Sequence, residues 1–455
     1  MQDRTGILTG SLWRAIPLFA LPVAATSIME QLSSLIDTIM IGHFTENGSL
    51  GMAAVGANTP IMSLVINLFV GISLGANVVI ANAIGAGRRD VVHKAVHTSI
   101  AVVALGVVAA VIMEVLAEPL LVLLSVPADT LSEAVLFLRI YLLGLPSILM
   151  YNFEAAILRS VGDTKTPLHA LIASAVVNVL LDLLLMPVLH LGVGGCALGT
   201  TVCYTLSAAF LFRRLMRIDS PVRVTPSEIG IDRPTLARIV RIGLPAGIQS
   251  AVFALANIIV QTAINSLGSE VIAASSAALT LEYVCYGLLN SFSQACTTFV
   301  GQNYGARNIA RCKQTLKVAL IEDGIIALMT IALAVTFGRA VLSVFNGDPA
   351  VVSIGYVRVC TIFPAYVFSM VYENVSGYLR GFGISTLPAV LTTLGVCGIR
   401  FFWVGVVFPA NPTFQNIMMV YPVSLSVTAA LIVAAALIAH PSKTLARRAG
   451  EKSVN

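Results

Sequence analysis

Long apolar stretches separated by short polar segments run along the whole chain. The stretches Ala101–Ile112, Ala170–Leu189 and Val427–Ala439 are nearly continuous in apolar residues, without the strict alternation that a membrane β-strand requires. A helix needs roughly 20 apolar residues to cross a bilayer. On that basis the pattern predicts twelve spanning helices, at about 14–42, 53–80, 95–124, 131–158, 166–190, 193–214, 237–266, 271–300, 314–343, 350–380, 385–409 and 414–440.

The composition agrees with a chain that faces lipid. Of its 455 residues, 57% are hydrophobic and only 11% are charged, with a mean hydropathy of +0.91. A soluble domain carries about 25% charged residues, so the polar surface of a soluble fold is missing. Because a lipid-exposed backbone must satisfy its own hydrogen bonds, helices are the expected spanning elements. The sequence therefore predicts an all-α membrane protein in contact with a lipid bilayer.

Basic residues concentrate in alternate loops of this predicted arrangement. Most of the 27 Lys and Arg residues lie at the termini, in the loops that follow even-numbered helices, or at the helix ends beside those loops. They include seven arginines in residues 213–241 and the stretch Lys443–Lys452. The positive-inside rule then places both termini in the cytoplasm, and we expect a multi-pass protein of a prokaryotic plasma (inner) membrane. The net charge of +5 follows from this topology and does not indicate nucleic-acid binding.

The two halves of the chain repeat each other. Leu21-Pro22 recurs as Leu244-Pro245, and Gly85-Ala86 recurs as Gly305-Ala306. Tyr151, Leu158-Arg159 and Pro167 recur as Tyr372, Leu379-Arg380 and Pro388 at one constant offset. Each half has six helices, so both enter the membrane in the same orientation, and we expect a pseudo-two-fold axis along the membrane normal with a cavity between the halves. The predicted domains are an N-lobe (1–217), a cytoplasmic linker (218–236) and a C-lobe (237–455).

Three motifs make the chain similar to a known family. They are Leu35-Ile36-Asp37-Thr38-Ile39-Met40-Ile41-Gly42, the turn Leu158–Gly162 with its copy Leu379–Gly383, and Val300–Gly305. Together they resemble the multidrug and toxic compound extrusion (MATE) family, over about Trp13 to His440. The resemblance implies two six-helix bundles and secondary active efflux by alternating access. It implies export of organic, cationic small molecules in exchange for H⁺ or Na⁺.

Polar residues at membrane depth are the candidates for coupling. At a rise of about 1.5 Å per residue, four predicted helices of the N-lobe place polar side chains at compatible depth in the outer half of the membrane. They are Asp37, Tyr141, Asn178, Asp182 and Thr200. Their oxygens could bind Na⁺, or the two carboxylates could share one proton. The set also resembles the N-lobe cation site of MATE transporters, with Na⁺ at Asp37, Asn178, Asp182 and Thr200.

The C-lobe offers no second copy of this set. Its predicted helix 11 carries Arg400 where the N-lobe has the Asn-Xaa3-Asp motif, and helix 7 has amides but no acid. Two interpretations of Glu282 stay open, a charge pair with Arg400 or a position facing the cavity that receives a cationic cargo. The candidate cavity residues are Glu30, Gln249, Asn257, Glu282, Glu373 and Arg400.

Other functions are less well supported by the sequence. The match Gly71-Ile72-Ser73-Leu74-Gly75 lies inside an apolar helix, whereas a nucleophile elbow needs a strand-to-helix turn. Close helix packing explains it better, and we expect no enzyme and no cofactor besides the coupling ion. The seven cysteines form no CxxC pair and are interpreted as packing residues. The alternative function is a flippase for a lipid-linked precursor, and we expect a monomer that binds a small molecule.

Overall fold

The computed structural model describes residues 6–45, 47–124, 126–345 and 348–439, and each regular element in them is a helix. Twelve helices in these ranges are long and apolar enough to cross a membrane, which confirms the predicted number. They are α1 (Leu12–Phe44), α2 (Gly48–Gly85), α3 (Arg89–Leu123), α4 (Ala128–Ser160), α5 (Lys165–Leu185), α6 (Gly192–Arg217), α7 (Arg233–Asn265), α8 (Ser269–Gly305), α9 (Ile309–Phe345), α10 (Pro349–Gly381), α11 (Thr386–Ala410) and α12 (Phe414–Ala439). The basic stretch Lys443–Lys452 lies outside the described residues, and so does His440, where the resemblance to the family ends.

Most helices extend beyond their predicted ends. The largest difference is at α3, predicted to begin at 95 and observed to begin at Arg89. The apolar pattern marks only the lipid-buried part of a helix, and polar first and last turns continue the backbone hydrogen bonds beyond it. A short 3₁₀ helix, Pro226–Glu228, lies in the predicted linker, and α7 begins before the linker's predicted end.

The repeat is visible in the backbone of two turns. After α4, the amide of Asp163 donates to the carbonyl of Leu158 at 3.0 Å, and after α10 the amide of Ile384 donates to Leu379 at 3.0 Å. The intervening glycines have positive φ, +86° at Gly162 and +81° at Gly383. Only a residue without a Cβ adopts that conformation at little cost. The repeated Leu-Arg-Xaa-Xaa-Gly motif therefore encodes the same helix C-cap twice.

Two compact units make up the chain, and α1 and α7 each contribute to both. The first unit contains residues 1–24, 85–87 and 248–455, and the second contains 25–84 and 88–247. The chain passes from one unit to the other two residues after Pro22 in α1 and two residues after Pro245 in α7. These units do not coincide with the predicted domain boundaries, 1–217 and 237–455. Apolar periodicity cannot record that the two halves of one long helix pack in different bundles.

Within the second unit, α2 and α7 cross through glycines. A Cβ added to Gly71 would lie 2.1 Å from the backbone nitrogen of Gly247, and one added to Gly75 would lie 2.3 Å from the carbonyl oxygen of Ile239. Gly243 faces the same crossing, since its added Cβ would meet the backbone of Ile72 at 2.5 Å. Gly71 thus faces Gly247 and Gly75 faces Gly243, and these two glycine pairs let the helix backbones touch. This confirms the packing interpretation of the Gly71–Gly75 motif.

Within the first unit, the chain before α1 is fixed to α8 and α9. The side chain of Asn303 donates to the carbonyl of Ile7 at 3.1 Å. Arg311 donates to the same carbonyl at 2.9 Å and to Gly6 at 3.0 Å. Phe19 of α1 packs edge-on against Phe299, with ring centroids 5.6 Å apart. Side chains of α8 and α9 thereby satisfy backbone carbonyls that precede the first turn of α1.

Candidate functional site: an intramembrane pair of carboxylates

Three helices of the second unit bring four polar side chains together. Asn178 on α5 donates from Nδ2 to Oδ1 of Asp37 on α1 at 2.7 Å and to Oδ2 of Asp182 at 3.2 Å. Thr200 on α6 donates to Oδ2 of Asp37 at 3.3 Å. Asn178 and Asp182 are four residues apart and so lie on one face of α5. The structure thus joins four of the five residues predicted for the coupling site.

The site is buried but retains unsatisfied oxygen acceptors. Asp182 is fully buried and Asn178 nearly so, whereas Asp37 is half-buried. Among the described residues, Oδ1 of Asn178 and Oδ1 of Asp182 have no hydrogen-bond partner. A buried acceptor without a partner is costly, and a proton or a cation would satisfy both. Oxygen is the donor that hard cations prefer, so these residues fit a Na⁺ ion as well as a proton.

A glycine on α6 makes room for the buried carboxylate. A Cβ added to Gly199 would lie 2.6 Å from Oδ1 of Asp182, far inside van der Waals contact. Any larger residue at position 199 would push the carboxylate or the helix away. The close approach of α6 to α5 therefore depends on glycine next to Thr200.

Tyr141 lies apart from the four polar residues, whereas Cys196 packs in an apolar cluster and also lies beside them. Tyr141 packs in an apolar cluster with Cys196 and stacks on Phe137 at 6.1 Å. Its hydroxyl makes no hydrogen bond to the four polar residues in the described part of the chain. Cys196, interpreted as a packing residue, has its Sγ within 4.8 Å of a carboxylate oxygen of both Asp37 and Asp182. Its position four residues before Thr200 puts it on the same face of α6, a signal the sequence did contain.

Glu282 has a partner other than the two that the sequence predicted. It is buried, and Arg358 on α10 binds it with two parallel hydrogen bonds, Nε to Oε1 and Nη2 to Oε2, the second at 2.9 Å. The predicted pair with Arg400 is therefore wrong, and the position facing a cavity stays a prediction. Depth along a helix does not show that α8 packs along α10, and that packing is what brings Arg358 to Glu282.

The remaining candidates divide between paired and unpaired groups. Arg400 donates from Nη1 to Oδ1 of Asn257. Glu373 accepts from the Tyr286 hydroxyl at 3.1 Å and lies 3.8 Å from Nη2 of Arg380. Gln249 is buried, and its Oε1 lacks a partner in the described residues. Glu30 is half-buried, and no ion pair or hydrogen bond of its side chain occurs among those residues.

Twelve apolar helices, an internal repeat and an intramembrane pair of carboxylates define a polytopic membrane transporter. The chain belongs to the MatE family, because that family's sequence model matches residues 22–184 and, a second time, residues 245–407. The two matches begin 223 residues apart, at Pro22 and Pro245, which is the offset of the repeated Leu-Pro pairs. Family membership also makes the chain a transporter and not an enzyme, as predicted.

Named relatives cover most of the chain. The probable multidrug resistance protein YoeA of Bacillus subtilis is 26% identical over 409 residues, which is 86% of each chain. The probable multidrug resistance protein NorM of Thermotoga maritima is 24% identical over 391 residues, 84% of this chain and 82% of the relative. A solved outward-facing multidrug resistance transporter of the MATE family has the same fold, with a TM-score of 0.88 at 22% identity, covering 98% of this chain and 99% of that one.

Proposed function

We propose that this transporter is a secondary active exporter, which couples the outward movement of organic molecules to the inward movement of H⁺ or Na⁺ at the Asp37–Asp182 site. The observation that carries the proposal is the buried pair of carboxylates bridged by Asn178. The related proteins named above as multidrug resistance proteins support a drug-like cargo. We further propose a monomer in the plasma membrane with both termini in the cytoplasm, which a reporter fused after Asn455 would test.

The geometry supplies a physical basis for coupling. Two carboxylates this close repel each other when both are ionised, and in a low-dielectric surrounding that repulsion is strong. One bound H⁺ or Na⁺ relieves it, so loaded and unloaded states of α1 and α5 differ in free energy. Asp37 is half-buried and Asp182 is fully buried. We therefore assign Asp37 as the residue through which the ion enters and Asp182 as the residue that retains it.

The available driving force is sufficient for export. One charge moving through about 100 mV releases about 2.3 kcal/mol. That free energy concentrates a cargo roughly fifty-fold. A single ion bound by one pair of carboxylates is thus enough to make export useful.

The charge of the cargo does not follow from Glu282. The resemblance to the family implied a cationic cargo, and the residue suggested to receive it, Glu282, is paired with Arg358. The family match lends no support to the alternative function, a flippase for a lipid-linked precursor. We therefore propose organic molecules as the cargo class without assigning their charge from Glu282.

Transport in everted membrane vesicles tests the proposal. Fluorescent dye uptake is followed after imposing either a pH gradient or a Na⁺ gradient, each with the other ion held equal. We expect uptake with one of the two gradients in the wild type and no gradient-driven uptake in Asp37→Asn at matched membrane levels. The matched control is Asp129→Asn, at the first turn of α4, which should transport like the wild type. Active uptake by Asp37→Asn would refute the assignment of the coupling site.

A further inference from the structure

Arg400 carries a buried charge that no acid neutralises within the described residues. Its side chain is 1% exposed, yet none of the five ion pairs in that part of the chain includes it. The bond from Nη1 to Asn257 is the only hydrogen bond of its guanidinium there, and Nε has no partner. Ionisable groups at membrane depth face a partner or a functional pathway as a rule, so this charge calls for an anion.

Arg358 of the same unit shows what is missing at Arg400. Arg358 uses the edge formed by Nε and Nη2 to hold both oxygens of Glu282. That edge is the one that matches a carboxylate or phosphate in a bidentate manner. The corresponding edge of Arg400 has no protein partner among the described residues. Arg358 and Arg400 are both buried, and Glu282 neutralises only Arg358. The charge of Arg400 is therefore left without a bonded acid among the described residues.

Aromatic rings and the Asn257 amide fix the orientation of the Arg400 guanidinium. Its central carbon lies 5.0 Å from the ring centroid of Phe253 and 4.5 Å from that of Tyr421. Both distances are within the range of cation–π attraction. The rings and the amide hold one orientation of the plane and do not use the Nε–Nη2 edge. Phe253 and Asn257 are only half-buried, so the α7 side chains that cover the group are themselves partly exposed.

The backbone around Arg400 is irregular on both sides. α11 contains π-helical turns at Thr393–Gly398 and at Trp403–Val407, which flank the short α-helical segment Ile399–Phe402. π-helical turns are rare and occur mostly at functional sites, because they redirect side chains at a cost in backbone hydrogen bonding. The two π-helical turns therefore fit a segment whose backbone directs the Arg400 side chain to one position.

We propose that the Nε–Nη2 edge of Arg400 binds an acidic group of the transported molecule, such as a carboxylate, a sulfonate or a phosphate. The first unit then selects cargo that carries a negative charge beside an apolar or aromatic body, which packs on Phe253. This inference deepens the proposed export function and rests on it, because only an exporter would carry the bound molecule as cargo. The anion site itself stands on the geometry of Arg400.

A matched pair of probes tests the sign of the selectivity. 1-Pyrenesulfonate and 1-pyrenylmethylammonium share one aromatic body and carry opposite charges, and their binding to the purified full chain in neutral detergent is measured by calorimetry. We expect the wild type to bind the sulfonate about tenfold more tightly than the ammonium, given the strength of a charge-assisted bidentate contact. Arg400→Gln should lose that preference. Arg400→Lys keeps the positive charge but not the two parallel N–H donors, so it should retain part of the preference.

The wild-type measurement decides the matter even if Arg400→Gln fails to fold, because equal binding of the two probes would overturn the proposal. Arg339→Gln is the matched control. Arg339 lies over the Tyr356 ring at 4.7 Å but is exposed, so its loss should leave sulfonate binding unchanged. Loss of sulfonate binding in Arg339→Gln as large as in Arg400→Gln would also count against the proposal.

Two further arms separate sources of failure. Phosphatidylglycerol added to the micelles offers the same acidic chemistry from a lipid, and displacement of the sulfonate by this lipid would overturn the assignment to cargo. The second arm measures gradient-driven dye uptake by the wild type in everted vesicles, beside the binding measurement on the same protein. Failure of binding with intact gradient-driven efflux refutes only the anion site. Normal binding without efflux in the wild type would refute only the export function.

Discussion

Asn178 and Asp37 are 141 residues apart in the chain, yet their side chains are joined by a 2.7 Å hydrogen bond in the interior of the second unit. The same Asn178 amide also donates to Asp182, so one neutral group holds two acids at a fixed spacing. A change at any one of the three alters the other two. The proposed coupling site is therefore one unit and not a set of independent ligands.

The bridging role of Asn178 predicts the effect of removing its amide. Asn178→Ala should fold, but gradient-driven dye transport should fall by about tenfold or more, since the loss of hydrogen bonds to charged groups costs about 1.5–3 kcal/mol. Asn152→Ala is the matched control, because Asn152 bonds to the Ile148 carbonyl in its own helix. Transport is measured in everted vesicles at equal protein levels. Similar losses in both variants would contradict a specific role for Asn178.

The room that Gly199 leaves for Asp182 predicts a steric effect on coupling. In Gly199→Ala, the new Cβ would lie 2.6 Å from Oδ1 of Asp182, and the carboxylate must move away from position 199, which disturbs its bond with Asn178. We expect coupled transport to fall several-fold while the protein remains folded. Gly194→Ala on the same helix is the control, since its Cβ would meet only the ends of two flexible side chains, Ile140 at 3.2 Å and Leu136 at 3.4 Å. Normal coupling in Gly199→Ala would show that Asp182 can shift without consequence.

The sequence predicted the helices, and which N-lobe residues meet at the site, for one physical reason. Both depend on distance along a single helix, which residue spacing reports directly. The residues Asp37, Asn178, Asp182 and Thr200 could be matched by depth alone, and the structure joins them. Which helices are neighbours depends instead on packing, and there the prediction for Glu282 failed.

Two further differences have the same origin. Cys196 lies beside the carboxylates, and its spacing of four residues from Thr200 was the one sign of this in the sequence, because a thiol in an apolar stretch carries no charge. The first part of α1 belongs to the first unit and the first part of α7 to the second, each apart from the rest of its own helix. Apolar periodicity gives no sign of this. Only the recurring Leu-Pro pairs, Leu21-Pro22 and Leu244-Pro245, marked the places where the chain crosses over.

The glycine crossing of α2 and α7 predicts a large effect on stability. Gly75→Ala would put a Cβ 2.3 Å from the carbonyl oxygen of Ile239, and the helices must separate. We expect destabilisation of about 1–3 kcal/mol or more from overpacking, measured by thermal unfolding in detergent. Gly56→Ala in the same helix has no atom within 4 Å of the new Cβ. It should be neutral or slightly stabilising, by up to about 1 kcal/mol, and an equal loss in both variants would contradict the crossing.

Asp232 predicts a pH-dependent contribution from the first turn of α7. Its carboxylate accepts from the side chain of Thr235 at 2.6 Å and from the Thr235 amide at 3.1 Å. These bonds, with Lys94 at 3.6 Å, lower the pKa of Asp232 below its ordinary value of 3.8. Because the folded pKa is the lower one, the stabilisation is fully present above pH 3.8 and is lost as the pH falls through the folded pKa.

Asp232→Asn keeps a capping oxygen but cannot titrate. We therefore expect the melting temperatures of wild type and variant to differ by a constant amount at neutral pH and to converge below about pH 4. The measurement is thermal unfolding in detergent from pH 7 to pH 3. A difference that persists unchanged at pH 3 would show that the Asp232 charge plays no part in stabilising α7.

The bidentate contact between Arg358 and Glu282 predicts a structural role for both residues. Glu282→Gln should destabilise the protein by about 3–5 kcal/mol, because it leaves a buried guanidinium without its counter-charge. The double variant Glu282→Gln with Arg358→Gln should recover part of that loss, since no unpaired charge remains. Glu114→Gln is the control. Its partner Arg139 is half-exposed and 3.6 Å away, and such pairs contribute less than about 1 kcal/mol. Unfolding in detergent measures all four proteins, and an unchanged stability of Glu282→Gln, with weaker binding of cationic dyes, would return Glu282 to the role of a cargo acceptor.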